Sequence, residues 1–339
     1  MFSLRLTVVV VLFFCFVNQV AANDEISIKN EKFFKGDSLW IAEGVTLVGR
    51  VSPAEVAKNK KFYAKAREKY GDELLNSIGD YGADLVRFQV SQGGLDPQSP
   101  IYEREYVDEI IESIKQTRDA GFNVIISMQW QGPSGSRDEG GLPTYTTRRA
   151  WQQIVDDFSD DRGVLLEVFN EPKLHKASPK NWRIWKKSMQ GLIDYLREKG
   201  AQNVLLVDGL KSAHVLEGAP ELDDPLGQTA YAVHPYLDKI NQTQKQWDKN
   251  FGNFADTHPV MATEFMAYAN RGCRNSLPND TKELLEYLKG KDIGLVLWAF
   301  DVGNIKKGSK YTTFDNLSCK KGERKGGAGQ MIHEYFTGK

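Results

Sequence analysis

Eight short apolar runs recur along the chain, at residues 40–48, 84–90, 123–130, 163–170, 203–208, 229–236, 259–265 and 293–300. Most are continuously apolar and β-branched, the signature of parallel strands buried on both faces. Amphipathic helical patterns lie between most of them, at 106–119, 147–158, 181–199 and 280–289, with a last one at 330–336. The fifth helix, after Asp208, is short and poorly defined. Gly82, Gly121, Gly200 and Gly294 fall where a helix hands over to a strand, a position that favours glycine. Eight strands alternating with helices over roughly 300 residues is the arithmetic of an α/β fold closed as a (β/α)8 TIM barrel. A doubly wound open sheet is the competing architecture, but the first run lacks a G-x-G-x-x-G turn. Residues 24–39 precede the first strand and contain the turn Lys35-Gly36-Asp37. They predict a short N-terminal hairpin closing the bottom of the barrel.

The first residues read as an address. Arg5 is the only charge among residues 1–22, residues 8–17 are an apolar run, and Val20-Ala21-Ala22 supplies small residues for cleavage. A run of that length is too short to cross a bilayer core of about 30 Å as a helix. Phe14 before Cys15 is too bulky for a lipoprotein cleavage site, so no membrane anchor is expected. The reading is a signal peptide over 1–22, a single catalytic domain over 23–339, and a secreted product, extracellular or periplasmic. Cys273 and Cys319 remain after cleavage, and an even pair in an exported protein predicts a disulfide, with two buried thiols as the alternative. With 44 basic and 45 acidic residues the chain carries no electrostatic footprint for nucleic acid. No linker-like stretch suggests a second module, and a monomer is expected.

In such a barrel function collects at the C-terminal ends of the strands. Those ends offer Arg87, Gln129, Trp130, Asn170, Glu171, His234, Tyr236, Glu264, Trp298 and Asp301. The two glutamates stand on the fourth and seventh strands. Strands about 4.8 Å apart and tilted by roughly 36° put the two Cα atoms about 14 Å across the ring, leaving a carboxyl gap of roughly 6 Å. Retaining glycosidases need about 5–5.5 Å and inverting ones about 6.5–9.5 Å. Glu167 shares a face with Glu171 but lies four residues back, about 13 Å deeper at 3.3 Å per residue, in what reads as a polar network inside the barrel.

Val168-Phe169-Asn170-Glu171-Pro172, His234-Pro235-Tyr236 and Ala262-Thr263-Glu264-Phe265 together resemble glycoside hydrolase family 5, the cellulase family of clan A retaining (β/α)8 enzymes. The resemblance runs through the whole mature chain in order. It implies that Glu171 is the acid/base and Glu264 the nucleophile of a double displacement. It further implies that Arg87 and the Tyr236 hydroxyl hold Glu264 ionised, that Asn170 donates to the sugar 2-hydroxyl, that His234 lines the site, and that Trp298 offers a ring face to the sugar. Many members carry a His near the end of strand three, where this chain has Ser127-Met128-Gln129-Trp130. Gln129 can hydrogen-bond a sugar hydroxyl but cannot be charged, which weakens the inference to ordinary cellulose.

Each assignment has a structural alternative. Glu171 and Glu264 could be solvated strand-end carboxylates, Arg87 could pair structurally with Asp84 or another acid, His234 could be a satisfied core histidine, and Trp130 and Trp298 could be packing residues. Asp301 reads as structural. The basic run 306–325 reads as a solvated loop, with acidic glycans as the alternative. The five His residues show no H-E-x-x-H or similar spacing, and G-x-S-x-G is absent, so neither a metal nor a cofactor is expected. The sequence therefore predicts a retaining endo-β-glycosidase whose partner is a polysaccharide or oligosaccharide. An endo-β-1,4-glucanase is the first expectation and an endo-β-1,4-mannanase the second. A sugar-binding barrel without catalysis is the alternative from another class.

Overall fold

The computed structural model describes residues 25–58, 61–129, 141–237, 240–267, 278–314 and 327–338. The signal segment, Trp130, Cys273 and Cys319 lie outside them.

Three short strands open the chain: β1 (Ile26–Lys29), β2 (Lys32–Lys35) and β3 (Ser38–Leu39), paired antiparallel in that order. Eight parallel strands follow and close on themselves: β4 (Glu43–Leu47), β5 (Leu85–Ser91), β6 (Asn123–Gln129), β7 (Val164–Glu167), β8 (Leu205–Asp208), β9 (Thr229–Val233), β10 (Val260–Phe265) and β11 (Gly294–Leu297). Each strand pairs with its neighbour in sequence, and β11 returns to β4. The fold is the expected (β/α)8 barrel, with every apolar run supplying one strand.

The strands alternate more than the runs suggest. In β5 the side chains of Val86, Phe88 and Val90 join the apolar layer beneath the helices. Leu85, Arg87, Gln89 and Ser91, all buried, occupy the opposite face of the strand, inside the barrel. The outer layer is completed by helix faces such as Val107, Ile110 and Ile114 of Arg104–Asp119, and Trp185, Met189 and Leu192 of Pro179–Glu198. The second helix starts where Ser178 caps the Asn181 N–H and Pro179 occupies the first turn, two residues ahead of the apolar periodicity. The pattern at 147–158 instead breaks into a helix Tyr145–Gln152 and a 3-10 turn Val155–Asp157. Asp156 and Asp157 would place two negative charges at a helix C-terminus, where the macrodipole opposes them.

The N-terminal sheet closes the bottom of the barrel. Ile26 N–H donates to Arg162 O at 3.0 Å and Ile28 N–H to Gln228 Oε1 at 2.8 Å, both just ahead of barrel strands. Ile26, Phe33 and Trp40 pack on Leu85, Ile125, Leu165, Leu206 and Met261 as a separate apolar cluster. The sheet makes two turns. The first reverses at Asn30-Glu31 (φ 49° and 60°), and Gly36-Asp37 forms the second. The sequence reading found only the second, because Asn-Glu lacks the glycine that marks most two-residue hairpin turns. No described helix is long and apolar enough to cross a membrane.

The fifth crossover has no ordinary helix. After Gly209 the chain turns through Lys211, Ser212 and Ala213, all left-handed (φ 58°, 58° and 59°). Lys211 N–H donates to Leu174 O and Ser212 N–H to Pro172 O, which ties this turn to the segment that follows β7.

Candidate active site

Four inward-facing strand positions and the loops just above them build a buried charged cluster at the C-terminal end of the barrel. Arg87 is its centre and is fully buried. Its Nε and Nη2 donate to the two oxygens of Glu167 at 2.6 and 2.9 Å, and Nη1 donates to Glu264 Oε2 at 2.8 Å. Nη2 also reaches Asn170 Oδ1 at 2.6 Å and Ser127 Oγ at 2.9 Å. Arg87 was expected to end its strand. It sits in the middle of β5, which continues to Ser91, and the length of its side chain carries the guanidinium to the cluster. Burial opposes its charge, but Glu167 and Glu264 outweigh burial and raise its pKa further. The expected alternative, a structural pair with Asp84 or another acid, is met by Glu167 and not by Asp84, whose carboxylate accepts from Trp40 Nε1 and the Glu43 N–H at the barrel bottom.

Both glutamates of the proposed pair are delivered by irregular backbone. Opposite β11, β10 carries one extra residue between Ala262 and Phe265. The bulge lets the consecutive residues Thr263 and Glu264 both reach the barrel interior. Thr263 Oγ1 meets His234 Nε2 at 3.1 Å, while Glu264 accepts from Arg87, from Gln89 Nε2 at 3.0 Å and from the Tyr236 hydroxyl at 3.0 Å. Glu171 adopts φ 50°, a left-handed conformation that costs a non-glycine residue roughly 1 kcal/mol. Its backbone N–H donates to Asp208 Oδ2 at 2.7 Å, and its Oε1 lies 3.2 Å from His234 Nδ1. A carboxylate oxygen of Glu171, one of Glu264 and a ring nitrogen of His234 lie within 4.8 Å of one another. The bulge and the left-handed turn aim both carboxyl groups at the same space above the barrel.

The same turn corrects the reading of Glu167. Its strand ends at Glu167 itself, so the extended rise used to place it about 13 Å below Glu171 does not apply. Glu167 and Glu171 flank one imidazole: Glu167 Oε1 is 3.8 Å from His234 Nε2, on the far side of the ring from Glu171. Glu167 belongs to the cluster and does not lie beneath it. Burial pushes its pKa up, but Arg87, together with His234, brings it well below the carboxylate range. Burial likewise works against charge on His234. The Glu264 carboxylate first, then Glu167, Glu171 and Asp208, overcome this and raise the imidazole to about 10. The surrounding carboxyl groups thus favour the imidazolium form of His234.

Of the residues singled out in the sequence, the structure brings Arg87, Asn170, Glu171, His234, Tyr236 and Glu264 into direct contact with one another. Gln129 ends β6, is buried, and donates from Nε2 to Ser127 Oγ at 3.1 Å. Trp298 follows β11 and remains partly exposed. Asp301 accepts from Val48 and Gly49 N–H at 2.9 and 2.8 Å, a structural tie between the first and last strands. Gln89, Ser127, Asp208 and Thr263 were missed as site residues, and Glu167, read as part of an interior polar network, joins the site from within it. The signal that could have found them is a polar residue at every second position of an otherwise apolar run.

A family model described as Cellulase (glycosyl hydrolase family 5) matches residues 52–304. One relative, the manganese dependent endoglucanase Eg5A of Phanerodontia chrysosporium, is 25% identical over 184 residues, which are 49% of this chain. The match spans 46% of that relative, so the chain covers about half its length. Among solved structures, the β-glucanase SdGluc5_26A of Saccharophagus degradans superposes with TM-score 0.68 at 20% identity, covering 95% of each chain. The catalytic domain of a mannanase from Streptomyces sp. SirexAA-E gives TM-score 0.60 at 17% identity, covering 87% of this chain and 85% of that one. With three quarters of its length inside the family model, the chain belongs to the cellulase family, glycosyl hydrolase family 5, and is a glycosyl hydrolase on a (β/α)8 barrel.

Proposed function

We propose that the protein is a secreted, monomeric endo-β-glycanase that cleaves its substrate with retention of configuration, β-1,4-glucan first and β-1,4-mannan second. The observation that carries this reading is the close approach of two carboxylates, Glu171 and Glu264, with three donors on one and an imidazolium on the other. That close approach favours the short separation of retaining enzymes over the wider one that inversion requires.

In the first step Glu264 attacks the anomeric carbon while Glu171 delivers its proton to the departing glycosidic oxygen. The C–O bond to the leaving sugar breaks as the glycosyl ester to Glu264 forms. In the second, the Glu171 carboxylate takes a proton from water, whose oxygen attacks the same carbon and expels Glu264. Arg87, Gln89 and Tyr236 aim preorganised donors at the nucleophile and take up its charge again when the ester breaks. Asn170 Nδ2 is buried without a partner among the described residues, which suits donation to a sugar hydroxyl. Trp298 supplies a partly exposed ring for stacking.

A glucan substrate is supported by the same β-glucanase fold in complex with cellotetraose, and the runner-up by the mannanase likeness. The manganese dependence named for one relative does not suit the donors here. Two groups could offer ligands, Glu167 with Asp208 and His234, and Glu171 with His234 and Glu264. In both, a carboxylate is already paired with Arg87, and a protonated His234 has no lone pair to give.

The test is reducing-end release from carboxymethylcellulose, mixed-linkage glucan, galactomannan, xyloglucan and xylan, with Glu264→Ala alongside. Release from carboxymethylcellulose or mixed-linkage glucan that vanishes in the variant supports a glucanase. Release from galactomannan alone supports the mannanase, and binding without release from any of them supports the non-catalytic barrel.

A further inference from the structure

Asp208 ends β8 and is fully buried among the site residues, yet nothing in the double displacement uses it. Its Oδ2 accepts the Glu171 N–H at 2.7 Å and lies 3.7 Å from His234 Nε2. Oδ1 is buried without a partner among the described residues. One oxygen of Asp208, one of Glu167 and a ring nitrogen of His234 fall within 4.8 Å of one another. Directly beyond Asp208, the left-handed turn 211–213 hydrogen-bonds Pro172 and Leu174, the residues that follow Glu171, and Ala213 O accepts the His234 N–H at 2.7 Å. The end of β8 thus grips the Glu171 loop on one side and His234 on the other.

We propose that Asp208 is a positioning residue for the acid/base: its carboxyl pins the left-handed Glu171 backbone so that the Glu171 side chain meets both His234 and the glycosidic oxygen. The proposal rests on the reading of Glu171 as acid/base. Without this acceptor, Glu171 would relax toward right-handed or extended backbone and swing its carboxyl away. The charge balance sets the form in which Asp208 works. Two cationic partners, Arg87 and His234, already face three carboxyl groups, Glu167, Glu171 and Glu264, so a further buried negative charge would be uncompensated. Burial first, then the neighbouring Glu167 charge, raise Asp208 well above the carboxylate range. The shift favours the protonated form of Asp208, and in either form Oδ2 accepts from the Glu171 N–H.

Asparagine keeps the size of Asp208 and an acceptor for the Glu171 N–H. Asp208→Asn should keep kcat/KM on cello-oligosaccharides within about 3-fold of wild type and leave its pH profile in place. Asp208→Ala should lower kcat/KM on cello-oligosaccharides by about 10- to 100-fold while barely changing it on a dinitrophenyl cellobioside, whose leaving group needs no proton. Equal losses on both substrates would indicate general damage to the fold and overturn the proposal. A loss in Asp208→Asn as large as that in Asp208→Ala would also overturn it, because the acceptor for the Glu171 N–H would then not be what matters. Glu171→Ala, measured alongside, separates the two levels. If it lacks the leaving-group signature, the acid/base reading fails and the positioning role with it. If it shows the signature and Asp208→Ala does not, only the positioning role fails.

Discussion

The two ends of the barrel are lined by the same strands at positions two residues apart, and they do opposite work. At the bottom, Leu85, Ile125, Leu165, Ala232 and Met261 pack beneath Ile26, Phe33 and Trp40 in a dry apolar plug. One inward position further up each strand, or in the loop just beyond it, stand Arg87, Ser127, Glu167, His234 and Thr263. The bottom is regular backbone and ordinary packing. The top holds charge in a buried place and relies on a bulge and left-handed turns to aim it. Stability is gathered at one end so that the other can hold unfavourable but reactive groups.

Breaking the top should cost activity and spare the fold. Glu264→Ala should reduce turnover on the preferred polysaccharide by on the order of 10⁴-fold or more, with an unchanged circular dichroism spectrum. Retained turnover in the purified variant would remove Glu264 from the mechanism. Breaking the bottom should do the reverse. Leu165→Ala opens a cavity in the fully buried plug and should cost about 2–5 kcal/mol, lowering Tm by several degrees while kcat at low temperature stays near wild type. A large fall in kcat would mean that the two ends are coupled more tightly than their packing indicates.

The electrostatics of the top make a third prediction. The imidazole of His234 has its pKa raised from 6.5 in the unfolded chain to about 10 in the fold. Its protonation therefore stabilises the native state in full below pH 6.5, and that contribution is lost as pH rises toward 10. At about 1.4 kcal/mol per pKa unit, a few kcal/mol are at stake. Thermal melts should show Tm declining across this alkaline window, and His234→Gln should flatten the decline. A variant that declines in parallel with wild type would place the proton elsewhere. Gln89→Ala should have a smaller effect, about 10-fold in kcat, since Arg87 and Tyr236 still hold the nucleophile. The smallest effect is none: dialysis against EDTA and re-addition of manganese should leave kcat unchanged, and restoration by manganese would refute the argument from the donor set.

Much of this was legible in the sequence. Eight apolar runs gave eight strands, and the motif residues Asn170, Glu171, His234, Tyr236 and Glu264 do come together. What escaped is instructive. Gln89 and Thr263 lie inside runs read as mostly apolar, because a single polar residue hardly alters a hydrophobic stretch even when it faces the lumen. The depth of Glu167 was misjudged because regular strand rise was extended through a left-handed residue. The fifth crossover, vague in the sequence, is vague because Lys211 to Ala213 form a left-handed turn where an ordinary right-handed helix would stand. Irregular backbone has no periodicity to read, and here it is concentrated where the chemistry sits.

The most direct test of the central claim is the configuration of the first sugar released. Proton NMR during early hydrolysis of a cello-oligosaccharide, before mutarotation, should show the β anomer appearing first. An α anomer appearing first would mean a single inverting displacement and would contradict Glu264 as a covalent nucleophile.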